Sequence, residues 1–284
     1  MKKREKLLPY LETKDFLVSR ESFELLYDPE YEMLVTSPQP TKRSLGEYYK
    51  SDEYISHTDS KKGIVSFLYN LVKRYSLKSK CKLIDSYNKS SSKKILDIGA
   101  GTGDFLVEAR NRGWNVLGIE PNINARQLAE KKSLRLIDDV ENIENQKFDV
   151  ITLWHVLEHL PNLESQIEKL EALLKPNGIL VVAVPNFRSY DAVYYKEFWA
   201  AYDVPRHLHH FSRKSLKKLF SKNFQLIKTK PMIFDSFYVS LLSEKYKTGN
   251  SFSLKAFWIG LRSNVAAWQS KEYSSLICVF KKSK

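Results

Sequence analysis

Cysteine is nearly absent: only Cys81 and Cys278 occur in 284 residues, far apart and in different predicted elements. That excludes a disulfide framework and a cysteine-based zinc site, and it makes a reducing cytoplasm the expected compartment. No stretch approaches the roughly 18 uninterrupted apolar residues that span a bilayer, so membrane contact is expected to be peripheral at most. The opening Met1 to Lys6 is followed by only Leu7-Leu8-Pro9-Tyr10 before charges return, too short for the apolar core of a secretory signal. Acidic residues are in deficit, 33 against 46 Lys and Arg, for a formal charge of +13. Such an excess draws the chain toward anionic surfaces, and nucleic acid, acidic lipid head groups or an anionic small substrate all fit. No long basic run or nucleic-acid motif accompanies it, so dispersed surface lysine is the plainer reading.

With 43% hydrophobic and 28% charged residues the composition is that of an ordinary globular protein, long enough for one large domain with an appendage. Residues 1–60, with Pro29, Pro38, Pro40 and many aromatics, read as an irregular or short-stranded cap. From Gly63 the positions Ile64, Phe67, Leu68, Leu71, Val72 and Tyr75 recur every three or four residues, which predicts an amphipathic helix toward Leu83. Apolar runs at 95–99, 115–119, 134–137, 148–153 and 178–184 then alternate with helical periodicity at 104–112, 122–131 and 163–174. That alternation predicts a doubly wound, mostly parallel α/β sheet. A helix from Ser212 to Phe220 leads to a strand near 224–228, and residues 230–270 form an apolar insertion before a final strand at 275–280. Within the insertion 254–268 has helical periodicity, and Phe257, Trp258, Leu261 and Trp268 supply an apolar wall. The plain reading of that wall is core; the alternative is a surface for a lipid-linked acceptor or an anionic membrane.

The sharpest local signal is Ile95-Leu96-Asp97-Ile98-Gly99-Ala100-Gly101-Thr102-Gly103-Asp104, an apolar strand entering a glycine turn and then a helix. Glycine allows both the tight turn and the close approach of a ligand to the backbone. The spacing departs from the Gly-x-Gly-x-x-Gly of dinucleotide sites and carries Asp97 at the strand end. The second strand ends at Glu120-Pro121, where a carboxylate can accept hydrogen bonds from a ribose diol.

This combination resembles the class I methyltransferases. Phe148 to Leu160, which includes Trp154-His155-Val156-Leu157-Glu158-His159, resembles the fourth-strand motif of the methyltransferase domain 23 group. The similarity extends to Asp203 to Ser212 and, more loosely, to Tyr48 to His57. The resemblance implies a Rossmann-like seven-stranded sheet over residues 61–284, with S-adenosyl-L-methionine as cofactor. It places Asp97, Gly99, Ala100, Gly101 and Gly103 near the methionine part, Glu120 and Pro121 at the ribose, and Asp138 or Asp139 at the adenine. Trp154, His155 and His159 would line the donor side. Asp138 and Asp139 could equally be a helix cap and a surface charge.

Related quinone O-methyltransferases carry a Glu, Glu, His set that can hold a metal, and here His155 replaces the first Glu. The trio His155, Glu158 and His159 is therefore read either as a metal set or as a hydrogen-bonded turn, and no metal is assigned. Sugar C-methyltransferase relatives carry a four-cysteine zinc module near the N-terminus. This chain has no cysteine before Cys81, so the segment Phe23 to Asp28 would keep the shape without the metal.

Methyl transfer from a sulfonium is an in-line displacement that needs alignment and exclusion of water. If the acceptor must lose a proton, imidazole suits a base near neutral pH. His207 is the leading candidate, by resemblance to the histidine of sugar C-methyltransferases, with His210 and Arg206 beside it and Asp203 as a possible orienter. Arg206 replaces a Glu of those relatives and would favour a carboxylate or phosphate on the substrate. A structural turn before the helix at Ser212 is the alternative for the histidines. The expected function is methyl transfer to a small-molecule or glycolipid-precursor acceptor. A non-catalytic nucleotide-binding protein is the runner-up. A nucleic-acid methyltransferase is disfavoured, because no Asn-Pro-Pro-Tyr-type motif follows the fourth strand.

Overall fold

The computed structural model describes residues 6–49, 64–88, 91–143 and 146–283. Lys50 to His57, part of the looser N-terminal resemblance, and the start of the predicted helix at Gly63 lie outside them. The side chains of Ile64, Phe67 and Leu68 are likewise outside what is described.

Of the two readings of the N-terminal residues, the short-stranded one fits: they form a meander. Strands β1 (Leu8–Lys14), β2 (Ser22–Asp28) and β3 (Met33–Ser37) pair antiparallel, and β9 (His209–His210) joins β3 as the fourth strand of this small sheet. Alternation hides β1 from a hydropathy reading. Its buried position is Thr13, whereas Leu8 and Tyr10 face outward.

The larger sheet contains β4 (Lys94–Ile98), β5 (Asn115–Ile119), β6 (Leu136–Ile137), β7 (Phe148–Trp154), β8 (Leu174–Pro185), β10 (Phe224–Pro231) and β11 (Ser275–Lys282). Their order is β10-β11-β8-β7-β4-β5-β6, with β11 antiparallel to both neighbours and the others running one way. The central strands are apolar through their middles, as at Ile95–Leu96, Val150–Ile151 and Ile179–Val184, because helices cover both faces. Those helices include α1 (Ile64–Tyr87), α2 (Asp104–Asn111), α3 (Ile123–Glu130), α4 (Leu163–Leu173), α5 (Tyr190–Tyr195) and α6 (Arg213–Phe220). One core layer packs Leu96, Ile151, Leu180 and Phe280 with α4 and α6. The other packs Ile95, Val150 and Val181 with α1 and α2.

The predicted apolar insertion is two helices, α7 (Asp235–Thr248) and α8 (Leu254–Ser270). The helical periodicity of α8 holds, but its orientation overturns the core reading. Ala256, Ile259, Gly260, Ser263 and Ala267 face inward, and Phe257, Trp258, Leu261 and Trp268 are exposed. Small residues won the inner face because they let backbones approach: a Cβ on Gly260 would lie 2.9 Å from the Phe237 backbone.

Candidate active site

The parallel strands place the ends of β4, β5, β6, β7 and β8 on one edge, the place where ligands bind in open α/β sheets. Gly99, Gly101 and Gly103 all adopt positive φ, at 70°, 53° and 78°. A Cβ on Gly99 would strike Val156 at 2.3 Å and one on Gly103 would strike Leu134 at 2.6 Å, whereas one on Gly101 would meet nothing within 4 Å. The outer two glycines are thus fixed by packing, and the middle one faces open space. Glu120 holds this turn: its carboxylate accepts from the Gly101 N–H at 2.8 Å and from the Asn122 N–H at 2.9 Å. Ala100 donates to the Ile119 carbonyl, and Arg126 pins the turn after β5 by donating to the carbonyls of Glu120 and Pro121. Pro121 is exposed.

Asp97 is buried inside this edge and accepts from the Thr152 hydroxyl at 2.6 Å. Burial pushes its carboxyl up to about 7, against the pull of Thr152 and Lys80. The Lys80 ammonium lies 4.3 Å from the centre of the Trp154 ring, an arrangement that holds a cation over an aromatic face. Burial holds that ammonium below the ordinary lysine range even though Asp97 and Asp235 favour its charge. Sequence reasoning missed Lys80. The available signal was a lysine beside the buried Cys81 on a helix whose charges otherwise face water. Of the two acids after β6, Asp139 caps a helical turn by accepting from the Glu141 N–H, and Asp138 accepts from Asn142.

The turn after β7 carries the second cluster. His155 has φ 59° and does not join Glu158 and His159 as a converging trio. Its Nε2 lies 3.3 Å from Asp235, the first residue of α7, and its Nδ1 lies 3.5 Å from Glu158. Although burial opposes the charge, Asp235 and Glu158 raise this imidazole to about 9, so it is an imidazolium at neutral pH. Glu158 is 1% exposed, and among the described residues its carboxylate has no hydrogen bond of good geometry, the His155 imidazolium at 3.5 Å being its counter-charge. Burial opposes its ionisation, but His155 and the other neighbouring histidines hold it below the usual carboxylate range.

The histidine-rich loop meets this carboxylate. Glu158, His159 and His207 each offer a ligand atom, and these atoms lie within 4.8 Å of one another. His207 Nδ1 is 2.9 Å from the Ala201 carbonyl and His159 Nδ1 is 3.0 Å from the Arg206 carbonyl. A carbonyl only accepts, so both Nδ1 atoms donate. Burial, with His207 adding to it, pushes His159 down to about 4 and keeps it neutral. Glu158, Trp199, His207 and His210 border one enclosed gap beside Pro185 at the end of β8, too tight to admit a water molecule.

The other predicted members have inward partners. His210 Nε2 is 3.0 Å from the Thr36 hydroxyl, and burial pulls its pKa well below the ordinary value. Arg206 is 1% exposed. It donates to Asp203 at 2.7 Å, to Asp15 at 2.9 Å and to the Tyr48 carbonyl at 2.9 Å. Its guanidinium is closed around the chain's own carboxylates, because a planar fork satisfies two of them at once.

The Methyltransferase domain family model matches residues 72–228, more than half of the sequence. The chain belongs to this methyltransferase family. A ubiquinone biosynthesis O-methyltransferase of Rickettsia typhi is 30% identical over 237 residues, covering 76% of this methyltransferase and 92% of the relative. Another protein of that name, from Actinobacillus pleuropneumoniae serotype 5b, is 36% identical over 140 residues, 43% of this chain and 58% of the relative. Among solved structures, magnesium protoporphyrin IX methyltransferase from Synechocystis PCC 6803 with bound S-adenosylhomocysteine shares the fold. Its TM-score is 0.57 at 14% identity, covering 86% of this chain and 100% of the other. The expected α/β sheet and S-adenosylmethionine-dependent methyltransferase activity therefore stand. The strand edge carries an open glycine turn and the half-buried Glu120 carboxylate that holds it.

Proposed function

We propose that this methyltransferase carries the methyl group of S-adenosylmethionine to a hydroxyl of a small-molecule acceptor, with His207 taking the proton. The observation that carries the reading is the orientation of His207. Its Nδ1 lies 2.9 Å from the Ala201 carbonyl, and its ring borders the same enclosed gap as the buried Glu158, a gap that must open to admit the acceptor. As the acceptor oxygen attacks, the sulfonium–carbon bond breaks, the oxygen–carbon bond forms and the hydroxyl proton passes to Nε2. Glu158 stabilises the resulting imidazolium. The hydroxyl is chosen over nitrogen or carbon because the curated relatives are named O-methyltransferases.

In this reading the methionine part lies along Asp97, Gly99, Ala100 and Gly101, where the Gly101 backbone is open, and Glu120 takes the ribose. Asp138 is preferred over the capping Asp139 at the adenine. Arg206 and His210 hold the loop rather than the acceptor, because their polar atoms are engaged by Asp15, Asp203 and Thr36. His207→Ala is expected to lower turnover by about 10²–10⁴-fold, the usual worth of a positioned base. Cofactor affinity measured by calorimetry should stay nearly unchanged. Intact turnover in that variant rejects the assignment.

A second reading is favoured by the convergence of Glu158 with two histidines whose Nδ1 protons are held by backbone carbonyls, the orientation usual for metal ligands. A divalent cation there would polarise the acceptor oxygen. Loss of turnover on chelation, restored by added metal, selects this reading; turnover indifferent to chelators selects the base.

A further inference from the structure

α8 is built inside out. Leu254, Phe257, Trp258, Leu261, Val265 and Trp268 are 36% to 69% exposed, and at 100° per residue they fall within an arc of about 100°. The opposite face, lined by Ala256, Gly260, Ser263 and Ala267, is the one that docks on the protein. Isolated exposed apolar residues are ordinary, but a continuous stripe of six, two of them tryptophan, marks a contact surface.

The stripe continues beyond its own helix. Phe257 stacks on Phe237 at 5.2 Å, and at the start of α7 the half-exposed Phe234 meets the exposed Tyr75 of α1 edge-on at 5.8 Å. Asp235, next to Phe234, is the residue bonded to His155. The apolar surface therefore reaches the rim of the strand edge that holds the site.

Charge decides what covers this surface. α8 contains Lys255 and Arg262 and no Asp or Glu, and Lys271 follows its last turn. Lys255, although paired with Glu244, and Arg262, over the Tyr190 ring, are exposed on one flank of the stripe, in a chain of formal charge +13. An anionic lipid surface complements that balance of charge. Aromatic rings at the level of the head groups, aliphatic side chains beneath them and flanking cations are what an in-plane helix presents to a bilayer. No helix among the described residues is long and apolar enough to cross a membrane, so this contact lies on the surface.

We propose that α8, together with the first turn of α7, docks this methyltransferase on an anionic phospholipid surface, with the strand-edge site opening beside it. The proposal does not depend on His207 acting as base, and its test reads binding rather than turnover. Full-length protein is mixed with vesicles of phosphatidylcholine alone or of phosphatidylcholine with phosphatidylglycerol, and binding is read by co-sedimentation and tryptophan emission. Binding to the anionic vesicles, weakened by salt and accompanied by a blue shift, is expected. Trp258→Glu combined with Trp268→Glu should weaken it by about tenfold or more through lost apolar burial. Circular dichroism and melting should be unchanged, because both side chains are exposed. Equal binding by the variant overturns the proposal. So does failure of the native protein to bind vesicles while sedimentation shows concentration-dependent dimers that the double variant abolishes, which would assign the stripe to a second copy.

Discussion

Gly101 and Gly99 stand two residues apart in one turn and have opposite surroundings. Both have positive φ, so alanine at either costs backbone strain of about 1 kcal/mol. At Gly101 nothing else is lost from the fold, because the added methyl enters open space. At Gly99 the methyl must displace Val156, which adds an overpacking cost of about 1–3 kcal/mol. Gly101→Ala should therefore keep most of its stability in urea unfolding while losing S-adenosylmethionine affinity in calorimetry. Gly99→Ala should be the less stable of the two. The reverse order of stability would show that the turn is packed differently. Sequence reasoning finds the three glycines but not this division, since which one faces the ligand depends on Val156 and Leu134 arriving from distant segments. Lys80 and Asp235 escape a sequence reading for the same reason. Each is an ordinary charge in its own helix, and only the fold aims it at Trp154 or His155.

Among the elements, the loop from Asp203 to Ser212 ties the two sheets together. His209–His210 pairs with β3, the Leu208 N–H donates to the Glu158 carbonyl at 2.8 Å, and Arg206 locks Asp203 to Asp15. Asp15 is fully buried, so Arg206→Met leaves a carboxylate without its countercharge. Asp15 still accepts from the N–H groups of Leu17, Val18 and Ser19. A loss of about 3 kcal/mol is expected, the low end for breaking a buried pair, and Arg206→Lys should recover only part because an ammonium cannot bridge both acids. Urea unfolding of the two variants measures this, and a loss in the range of an exposed pair, under about 1 kcal/mol, would refute it. The parallel strands and their helices were legible because burial on both faces leaves continuous apolar runs. The meander was not, since β1 buries a threonine and shows its leucine to solvent. α8 was legible as a helix but not in its facing, because periodicity locates a stripe without saying what lies opposite it.

Across the whole molecule, buried titrations of both signs set how stability depends on pH. Asp97 is raised by burial from 3.8 to about 7, so the folded chain holds that proton more tightly than the unfolded one. Its contribution is complete below 3.8 and lost as pH rises through about 7. His155, raised from 6.5 to about 9 by Asp235 and Glu158 against its burial, has the same sign. Its ion pairs contribute fully below 6.5 and are lost as pH rises through about 9. Asp15 and Asp104 act oppositely. Burial works against their charge, but Arg206 and backbone N–H groups at Asp15, and Lys132 and Lys73 at Asp104, hold both below 3.8, and that stabilisation fades in acid. Burial also holds His159, His209 and His210 below 6.5, so their neutral packing is lost as pH falls from 6.5 toward 4. The melting temperature should therefore be highest close to neutrality, fall in acid and decline toward about pH 9. His155→Gln should flatten the alkaline part of the decline. A native melting temperature that climbs into the alkaline range contradicts this account of both groups.

The hydrogen bond from Leu208 to Glu158 makes the N-terminal meander and the strand edge mechanically continuous. The glycine turn belongs to one sheet, while the histidine loop is stitched into the other. Exchange of the meander would then disturb the loop that carries His207 and leave the glycine turn as it stands.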